Sequence, residues 1–132
     1  MSNAVGFGLS ARNDLGIHSE MLSDSMMELI KQGVVTNRRK TFLPGKTVAS
    51  FALGSKGLYR FMDHNESLYF APFPIVNDPV NIAKNDNMIS INTALSIDLM
   101  GQVCADNISG VQYSATGGQV DFVRGVQMSR GG

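Results

Sequence analysis

Residues 15–21, LGIHSEM, constrain the fold of this chain more than any other stretch. Three of the four odd positions are apolar, and the segment leads into a helix signal without a proline or a turn dipeptide, which predicts a short strand. Because side chains alternate along a strand, Gly16, His18 and Glu20 share one face. The Glu20 carboxylate is therefore predicted near the carboxyl end of a strand, where open α/β sheets usually bind ligands. For a lone glutamate, the ordinary interpretation is a solvated surface charge.

A helix is predicted directly after this strand. Ser25 followed by Glu28 fits a capping box, and Ser23 is a second candidate for the N-cap. Gly33 fits the position after the helix end. Met26 and the apolar residues that follow it at helical spacing predict a face that packs into the core.

Three further strands are predicted, at residues 47–53, 68–70 and 89–99. The first is almost continuously apolar, as in strands buried on both faces. Ser55 is the predicted N-cap of a short helix that follows it. Residues 89–99 alternate between apolar and mostly polar side chains over eleven positions, the clearest strand pattern in the chain. Their polar face is either solvated or the wall of a cleft.

A pair of glycines, Gly117 and Gly118, precedes a predicted helix that starts near Val120. Paired glycines permit close backbone approach, and the free N–H groups at a helix start can bind an anion. The segment matches neither the G-x-G-x-x-G pattern nor the P-loop pattern. From these residues alone, an ordinary turn is the more common explanation.

Composition excludes several classes of function. Eleven Lys and Arg balance eleven Asp and Glu, so no net field favours nucleic acid or an anionic membrane. No apolar run approaches the roughly 18 residues of a membrane span, and the first residues lack a secretory-signal pattern. The single Cys104 fits a reducing cytoplasm, which is the predicted location. Its spacing from His18 and His64 does not fit zinc ligation, so no metal site is predicted.

Four segments of the chain resemble one known family. They are DLGIHSEMLSDSMMELIKQGVVTNRRKTFLP, PGKTVASFALGSKGLYRFM, NDNMISINTALSIDLMGQV and SATGGQVDFVRGVQMSRGG, in this order. They resemble the family I CoA-transferases, especially the 4-hydroxybutyrate and acetate branch, and the related acetyl-CoA hydrolases. The likeness extends from about Asn13 onward. It implies an α/β fold, an open sheet with flanking helices, in an incomplete domain: residues 1–132 are expected to be part of a C-terminal catalytic domain. The N-terminal domain and the end of the C-terminal domain are expected to lie outside this chain.

The resemblance also implies a site and a reaction. In the family, a glutamate in the matching GIH-[ST]-E-M segment is the nucleophile, which corresponds to Glu20. Family members place a GG loop against the acyl carbonyl, where a backbone N–H completes an oxyanion hole, and this role carries over to Gly117 and Gly118. The implied enzyme moves CoA from an acyl-CoA to a free acid of the 4-hydroxybutyrate, acetate or butyrate class, through a glutamyl-CoA thioester. Coenzyme A is a substrate, and no cofactor is expected.

Two alternatives stay open. An acyl-CoA hydrolase would use the same intermediate but pass it to water. The chain could instead be a self-associating piece of a domain, inactive in isolation, and exposed apolar surface would favour a homo-oligomer. The basic run at residues 37–40 is ordinarily a solvated loop, with CoA phosphate binding as a second interpretation. His18 could line the site or orient Glu20.

Overall fold

The structure is a computed structural model that describes residues 3–132, with side chains from Val5 onward. Short helices alternate with short strands, as the α/β prediction requires. The helices are α1 (Asn3–Leu9), α2 (Asp24–Lys31), α3 (Lys56–Met62), α4 (Phe73–Val76), α5 (Pro79–Ala83) and α6 (Gln119–Met128). The strands are β1 (Met21–Leu22), β2 (Thr47–Ala49), β3 (Phe51–Ala52), β4 (Leu68–Phe70), β5 (Ser96–Ile97), β6 (Val103–Cys104), β7 (Asn107–Ile108) and β8 (Val111–Gln112).

Parallel pairing characterises the first half of the chain. β1 pairs with β3 and β2 pairs with β4, and α2 and α3 lie in the respective crossover connections. Single parallel bridges join Leu15 to Val35 and His18 to Val48. β5–β6 and β7–β8 form two antiparallel hairpins further along the chain. The parallel strands thus form short ladders rather than one continuous sheet.

Two apolar clusters form the core and hold the segment that leads to Glu20. Ile17 belongs to the first cluster, together with the buried face of α2 and with Leu58 of α3. The neighbouring His18 bridges to Val48, which belongs to the second cluster. Burying an aliphatic side chain of this size contributes about 1.5–3 kcal/mol. Residues just before Glu20 are therefore fixed by packing on both clusters.

Local end signals correctly located the ends of α2 and the start of α3. Ser55 is the N-cap of α3, and its hydroxyl oxygen accepts hydrogen bonds from the N–H groups of Gly57 and Leu58, at 3.1 and 3.3 Å. Gly33 follows α2 with a φ of +73°, the left-handed conformation that favours glycine after a helix end. For α2, Ser23 rather than Ser25 is the N-cap, so the second candidate was correct.

The strands around Glu20 are shorter than predicted. Regular strand structure is confined to Met21–Leu22, so Glu20 lies immediately before β1 and not at the carboxyl end of a strand. The predicted strand at 47–53 is interrupted at Ser50. The N–H groups of Ser50 and Phe51 both donate to the carbonyl oxygen of Glu20, and two consecutive donors on one acceptor break the ladder register.

The strand predicted at residues 89–99 is the largest error. Within this range, only Ser96–Ile97 is a strand. Residues 89–94 have no backbone hydrogen bond to any part of the chain that the structure describes. A strand needs a partner, and the alternating pattern alone does not supply one.

Within residues 3–132, no helix is both long enough and apolar enough to span a membrane.

Candidate active site

The Glu20 carboxylate is held by a side chain from a distant part of the sequence. Asn77 Nδ2 donates a hydrogen bond of 2.6 Å to Glu20 Oε2. Asn77 is itself fixed at the end of α4, where its backbone N–H donates to the Phe73 carbonyl at 2.8 Å. The main chain of Glu20 is fixed as well, by the two donors at Ser50 and Phe51. The carboxylate therefore has a defined position before any ligand arrives.

Gly118 lies directly against this Glu20–Asn77 pair. A Cβ atom built on Gly118 would lie 2.5 Å from Asn77 Nδ2 and would also collide with Glu20 Oε2. Real Cβ atoms do not approach other atoms this closely, so a side chain at position 118 would force the Glu20 and Asn77 side chains to shift. Gly117 differs: its φ is +60°, and a Cβ there would meet no other group within 4 Å. The structure therefore brings Gly118 to Glu20, whereas Gly117 provides the turn before it.

The start of α6 gives this site a favourable field for negative charge. Gly118 is the N-cap of the ten-residue helix α6, so the carboxylate of Glu20 lies at the helix N-terminus. The first N–H groups of a helix have no partner inside the helix, and the helix dipole is positive there. A second anionic group formed beside Glu20 would experience the same stabilisation.

Sequence reasoning missed Asn77. It falls in the proline-rich segment 71–79, where nothing in the local pattern separates it from other loop asparagines. Its Oδ1 atom is buried and has no hydrogen-bond partner within the described residues. An unpaired buried acceptor costs about 1–3 kcal/mol, a cost that is usually retained only where a site needs it.

His18 does not contact the Glu20 carboxylate through its ring nitrogens. The ring is buried, and its Nε2 donates to the Val76 carbonyl at 2.7 Å, while the Asn85 amide approaches Nδ1 at 3.4 Å. Burial lowers the pKa of His18, and the bond to Val76 opposes this only in part. The neutral ring thus supports the backbone immediately before Asn77. The alternative in which His18 directly orients Glu20 is wrong.

The basic run is largely committed to structural contacts. Arg38 pairs with Asp14 at 2.6 Å. The Lys40 ammonium donates to the carbonyls of Ile17 and Lys46, at 2.9 and 2.8 Å, and burial lowers the pKa of Lys40 to about 8. Two of the three cationic side chains in the basic run, those of Arg38 and Lys40, therefore stabilise the segment before Glu20 rather than extending freely toward a phosphate.

In the part of the chain that the structure covers, no group of three or more His, Cys, Asp or Glu side chains is arranged to hold a metal ion. Cys104 is a half-buried thiol, and its sulfur lies 3.2 Å from the Asn107 carbonyl.

Comparison with known proteins identifies the family of this chain. The sequence model of the acetyl-CoA hydrolase/transferase C-terminal domain matches residues 54–132. The chain belongs to this family.

Curated relatives of the chain are CoA-transferases. It is 50% identical to the 4-hydroxybutyrate coenzyme A transferase of Clostridium kluyveri over 98% of its own length. It is 52% identical to the succinyl-CoA:cyclohexane-1-carboxylate CoA transferase of Geobacter metallireducens, again over 98% of its length. In both cases the chain spans about 30% of the relative.

Similarity to solved structures confirms the predicted α/β, CoA-transferase-like fold. The chain superposes on RipA from Yersinia pestis with a TM-score of 0.92 and 48% identity, covering 98% of this chain and 30% of that one. For the 4-hydroxybutyrate CoA-transferase of Porphyromonas gingivalis, the TM-score is 0.85 and the identity is 42%, with coverage of 98% and 28%.

Proposed function

We propose that this chain carries the nucleophile and one oxyanion donor of a CoA-transferase that moves CoA between an acyl-CoA and a free carboxylic acid. The observation that carries the proposal is the arrangement in which Asn77 holds the Glu20 carboxylate against Gly118. The family and its CoA-transferase relatives support the reaction class. Acids of the 4-hydroxybutyrate, acetate or butyrate class are the proposed substrates.

Glu20 is the proposed nucleophile. Its carboxylate attacks the thioester carbonyl of the acyl-CoA, which gives a mixed anhydride and releases CoA as the thiolate. The thiolate then attacks the glutamyl carbonyl, the first acid leaves as a carboxylate, and CoA remains on Glu20 as a thioester. An acceptor acid reverses these two steps and leaves as the new acyl-CoA. Each attack passes through a tetrahedral oxyanion.

The chain contributes orientation and charge stabilisation to these steps. A carboxylate is a weak nucleophile, so a fixed direction of attack lowers the barrier considerably. The hydrogen bond from Asn77 supports that role, because it restrains one oxygen of Glu20. The N–H of Gly118 at the start of α6 is the proposed oxyanion donor, and such a donor is worth about 3 kcal/mol.

We further propose that residues 1–132 are part of a C-terminal domain and that the complete enzyme has additional chain. The relatives are more than three times the length that this chain spans. CoA thioesters and small carboxylic acids are the proposed partners, with a homo-oligomer as the proposed assembly. The chain alone is expected to be inactive, since an acyl-CoA site built by one part of a domain leaves water free to enter.

Transfer and hydrolysis are distinguished by the fate of CoA. Full-length enzyme is incubated with acetyl-CoA, with and without butyrate, and butyryl-CoA and free CoA are quantified over time. We expect butyryl-CoA to form in step with acetyl-CoA loss, and free CoA to stay at or below the enzyme concentration. Continuous release of free CoA without an acceptor would instead identify an acyl-CoA hydrolase.

Asn77 provides a second prediction in the full-length enzyme. Asn77→Ala removes the donor to Glu20 Oε2 and is expected to lower kcat about a hundredfold, the scale of a displacement of about 1 Å. Asn77→Asp places a second carboxylate beside Glu20, and two such groups share one proton, which raises the pKa of the pair. The activity of Asn77→Asp should therefore recover as the pH falls, whereas that of Asn77→Ala should not.

The measurement is kcat against pH for both variants, with Asn81→Ala as a matched control. Asn81 lies within the neighbouring helix α5, and its amide donates to the Ile75 carbonyl rather than to Glu20. Asn81→Ala should keep the wild-type rate and pH profile. Wild-type behaviour of both Asn77 variants would remove Asn77 from the mechanism.

A further inference from the structure

The imidazole ring of His18 lies where three parts of the candidate active site meet. Its own backbone precedes Glu20 by two residues. Its ring packs edge-on against Phe122 of α6, the helix whose N-terminus lies at the carboxylate, with ring centroids 6.0 Å apart. Its Nε2 donates to the carbonyl of Val76 at the end of α4, directly before Asn77. One buried ring therefore connects all the segments that carry the site.

The Val76 carbonyl obtains its hydrogen bond from the His18 ring. Val76 is the last residue of α4 and is fully buried, and the last carbonyls of a helix have no partner inside it. Among the described residues, no backbone N–H donates to this carbonyl, whereas His18 Nε2 lies 2.7 Å from it. A buried carbonyl without a donor is unfavourable. The ring therefore fixes the peptide unit that joins Val76 to Asn77.

The surroundings of His18 select one tautomer of its ring. Because a carbonyl oxygen only accepts, Nε2 must carry the hydrogen. On the other side of the ring, Asn85 Nδ2 approaches Nδ1 at 3.4 Å, which requires Nδ1 to be the acceptor. Asn85 is 4% exposed, and its Oδ1 has no hydrogen-bond partner within the described residues. Turning this amide over would place Oδ1 against the lone pair of Nδ1. The observed arrangement keeps the tautomer that can donate to Val76.

We propose that His18 is a positioning residue for CoA transfer, which orients the Glu20 carboxylate through Val76 and Asn77. The connection consists of two short hydrogen bonds, from His18 Nε2 to the Val76 carbonyl at 2.7 Å and from Asn77 Nδ2 to Glu20 Oε2 at 2.6 Å. A single peptide unit lies between them, so a displacement of the ring also displaces the donor to Glu20. The inference rests on the role of Asn77 in the proposed function.

The location of the acceptor distinguishes this role from ordinary core packing. A buried histidine usually stabilises a fold by satisfying a nearby backbone group, and such a bond can end at any residue of the core. Here it ends at the residue before the one that holds the nucleophile. Loss of the bond should therefore change the rate of the reaction as well as the stability, since a reacting group that moves by about 1 Å can lose about a hundredfold in rate.

A double-mutant cycle in the full-length enzyme tests the proposal, with kcat for transfer of CoA from acetyl-CoA to butyrate as the readout. His18→Phe keeps a ring against Phe122 but removes the donor. It is expected to lower kcat by at least about fivefold, the scale of one hydrogen bond, with little change in KM. Because His18 acts through Asn77, adding His18→Phe to Asn77→Ala should change kcat by less than about twofold. His18→Gln, whose amide can still donate to Val76, should recover most of the loss.

Asn65→Ala is the matched control for loss of a hydrogen bond. Asn65 Nδ2 also donates to a backbone carbonyl, that of Phe61 at 3.1 Å, but it lies in the turn after α3. This variant should lower the Tm and leave kcat unchanged. Nitrogen-15 NMR of the wild-type enzyme, labelled at histidine, gives a readout that does not depend on kinetics. The His18 signal, assigned by its loss in either variant, should show a protonated Nε2 and an unprotonated Nδ1 at neutral pH.

Several results would overturn this inference. An unchanged kcat in His18→Phe, while Asn77→Ala is impaired, would show that the ring has only a structural role. Losses that multiply in the double variant would show that the ring acts independently of Asn77. A tautomer protonated at Nδ1, or a His18→Gln variant as slow as His18→Phe, would contradict the hydrogen bond to Val76 as the means of action. Wild-type kcat in Asn77→Ala would contradict the role proposed for Asn77 itself, and this inference with it, so the two failures are distinguishable.

Discussion

Replacing Gly118 with alanine in the full-length enzyme is expected to lower kcat by a hundredfold or more. The added Cβ would lie 2.5 Å from Asn77 Nδ2 and would collide with Glu20 Oε2, so both the nucleophile and its donor must move. A displacement of about 1 Å at a reacting group costs about a hundredfold, and loss of one oxyanion donor costs about 10²–10³ in kcat. The effect should appear mainly in kcat and only weakly in KM, since the interaction is needed in the transition state.

Gly117→Ala is the matched control for this variant. A Cβ on Gly117 meets no other group within 4 Å, but its φ of +60° is unfavourable for alanine. The expected cost is about 1–2 kcal/mol of stability, with kcat close to wild type. Steady-state kinetics and thermal unfolding of the two variants separate these effects. An unchanged kcat in Gly118→Ala would show that the loop is an ordinary turn without a catalytic role. Equal losses of kcat in both variants would indicate a general distortion of the loop.

Features that depend on neighbouring residues could be predicted from the sequence. Ser55 caps α3 because its hydroxyl reaches N–H groups two and three residues ahead, and this is a local signal. Gly33 likewise ends α2 by adopting a positive φ. The start of α6 after the two glycines follows the same logic, so the elements that carry Gly118 were located correctly.

Features that depend on distant residues could not be predicted in the same way. The strand pattern at residues 89–99 is clear, yet pairing requires a partner that the described chain does not provide for residues 89–94. The contact between Asn77 and Glu20 joins residues 57 positions apart, and no periodicity or spacing marks it. The resemblance to CoA-transferases indicated Glu20, but it gave no information on the side chain that holds it. The geometry of the site therefore depends on tertiary contacts between residues that are distant in sequence.

Glu20 is expected to show the largest effects of any residue in this chain. Glu20→Asp keeps the charge but withdraws the carboxylate by one methylene, about 1.5 Å. That shift removes the 2.6 Å hydrogen bond to Asn77 and lengthens the path of attack. We expect at least a hundredfold loss of kcat for Glu20→Asp, and loss of transfer to the uncatalysed level for Glu20→Gln, which has no nucleophilic oxygen.

A measurement of CoA binding distinguishes this loss of activity from misfolding of the variant. Neither change at Glu20 opens a cavity or adds volume, so both variants should fold and bind CoA with little change in Kd, as measured by calorimetry. Substantial transfer activity in Glu20→Gln would show that another group accepts the acyl or CoA moiety.

The most direct test is chemical trapping of the intermediate on Glu20. Full-length enzyme is incubated with acyl-CoA in the absence of an acceptor acid and then treated with borohydride, which reduces a glutamyl thioester to an alcohol. The peptide that contains Glu20 should lose roughly 14 Da, and the same peptide from Glu20→Gln should not change, because only a covalent thioester at this carboxylate is reduced. Reduction of a different carboxylate, with the Glu20 peptide unmodified, would contradict the assignment of Glu20 as the nucleophile.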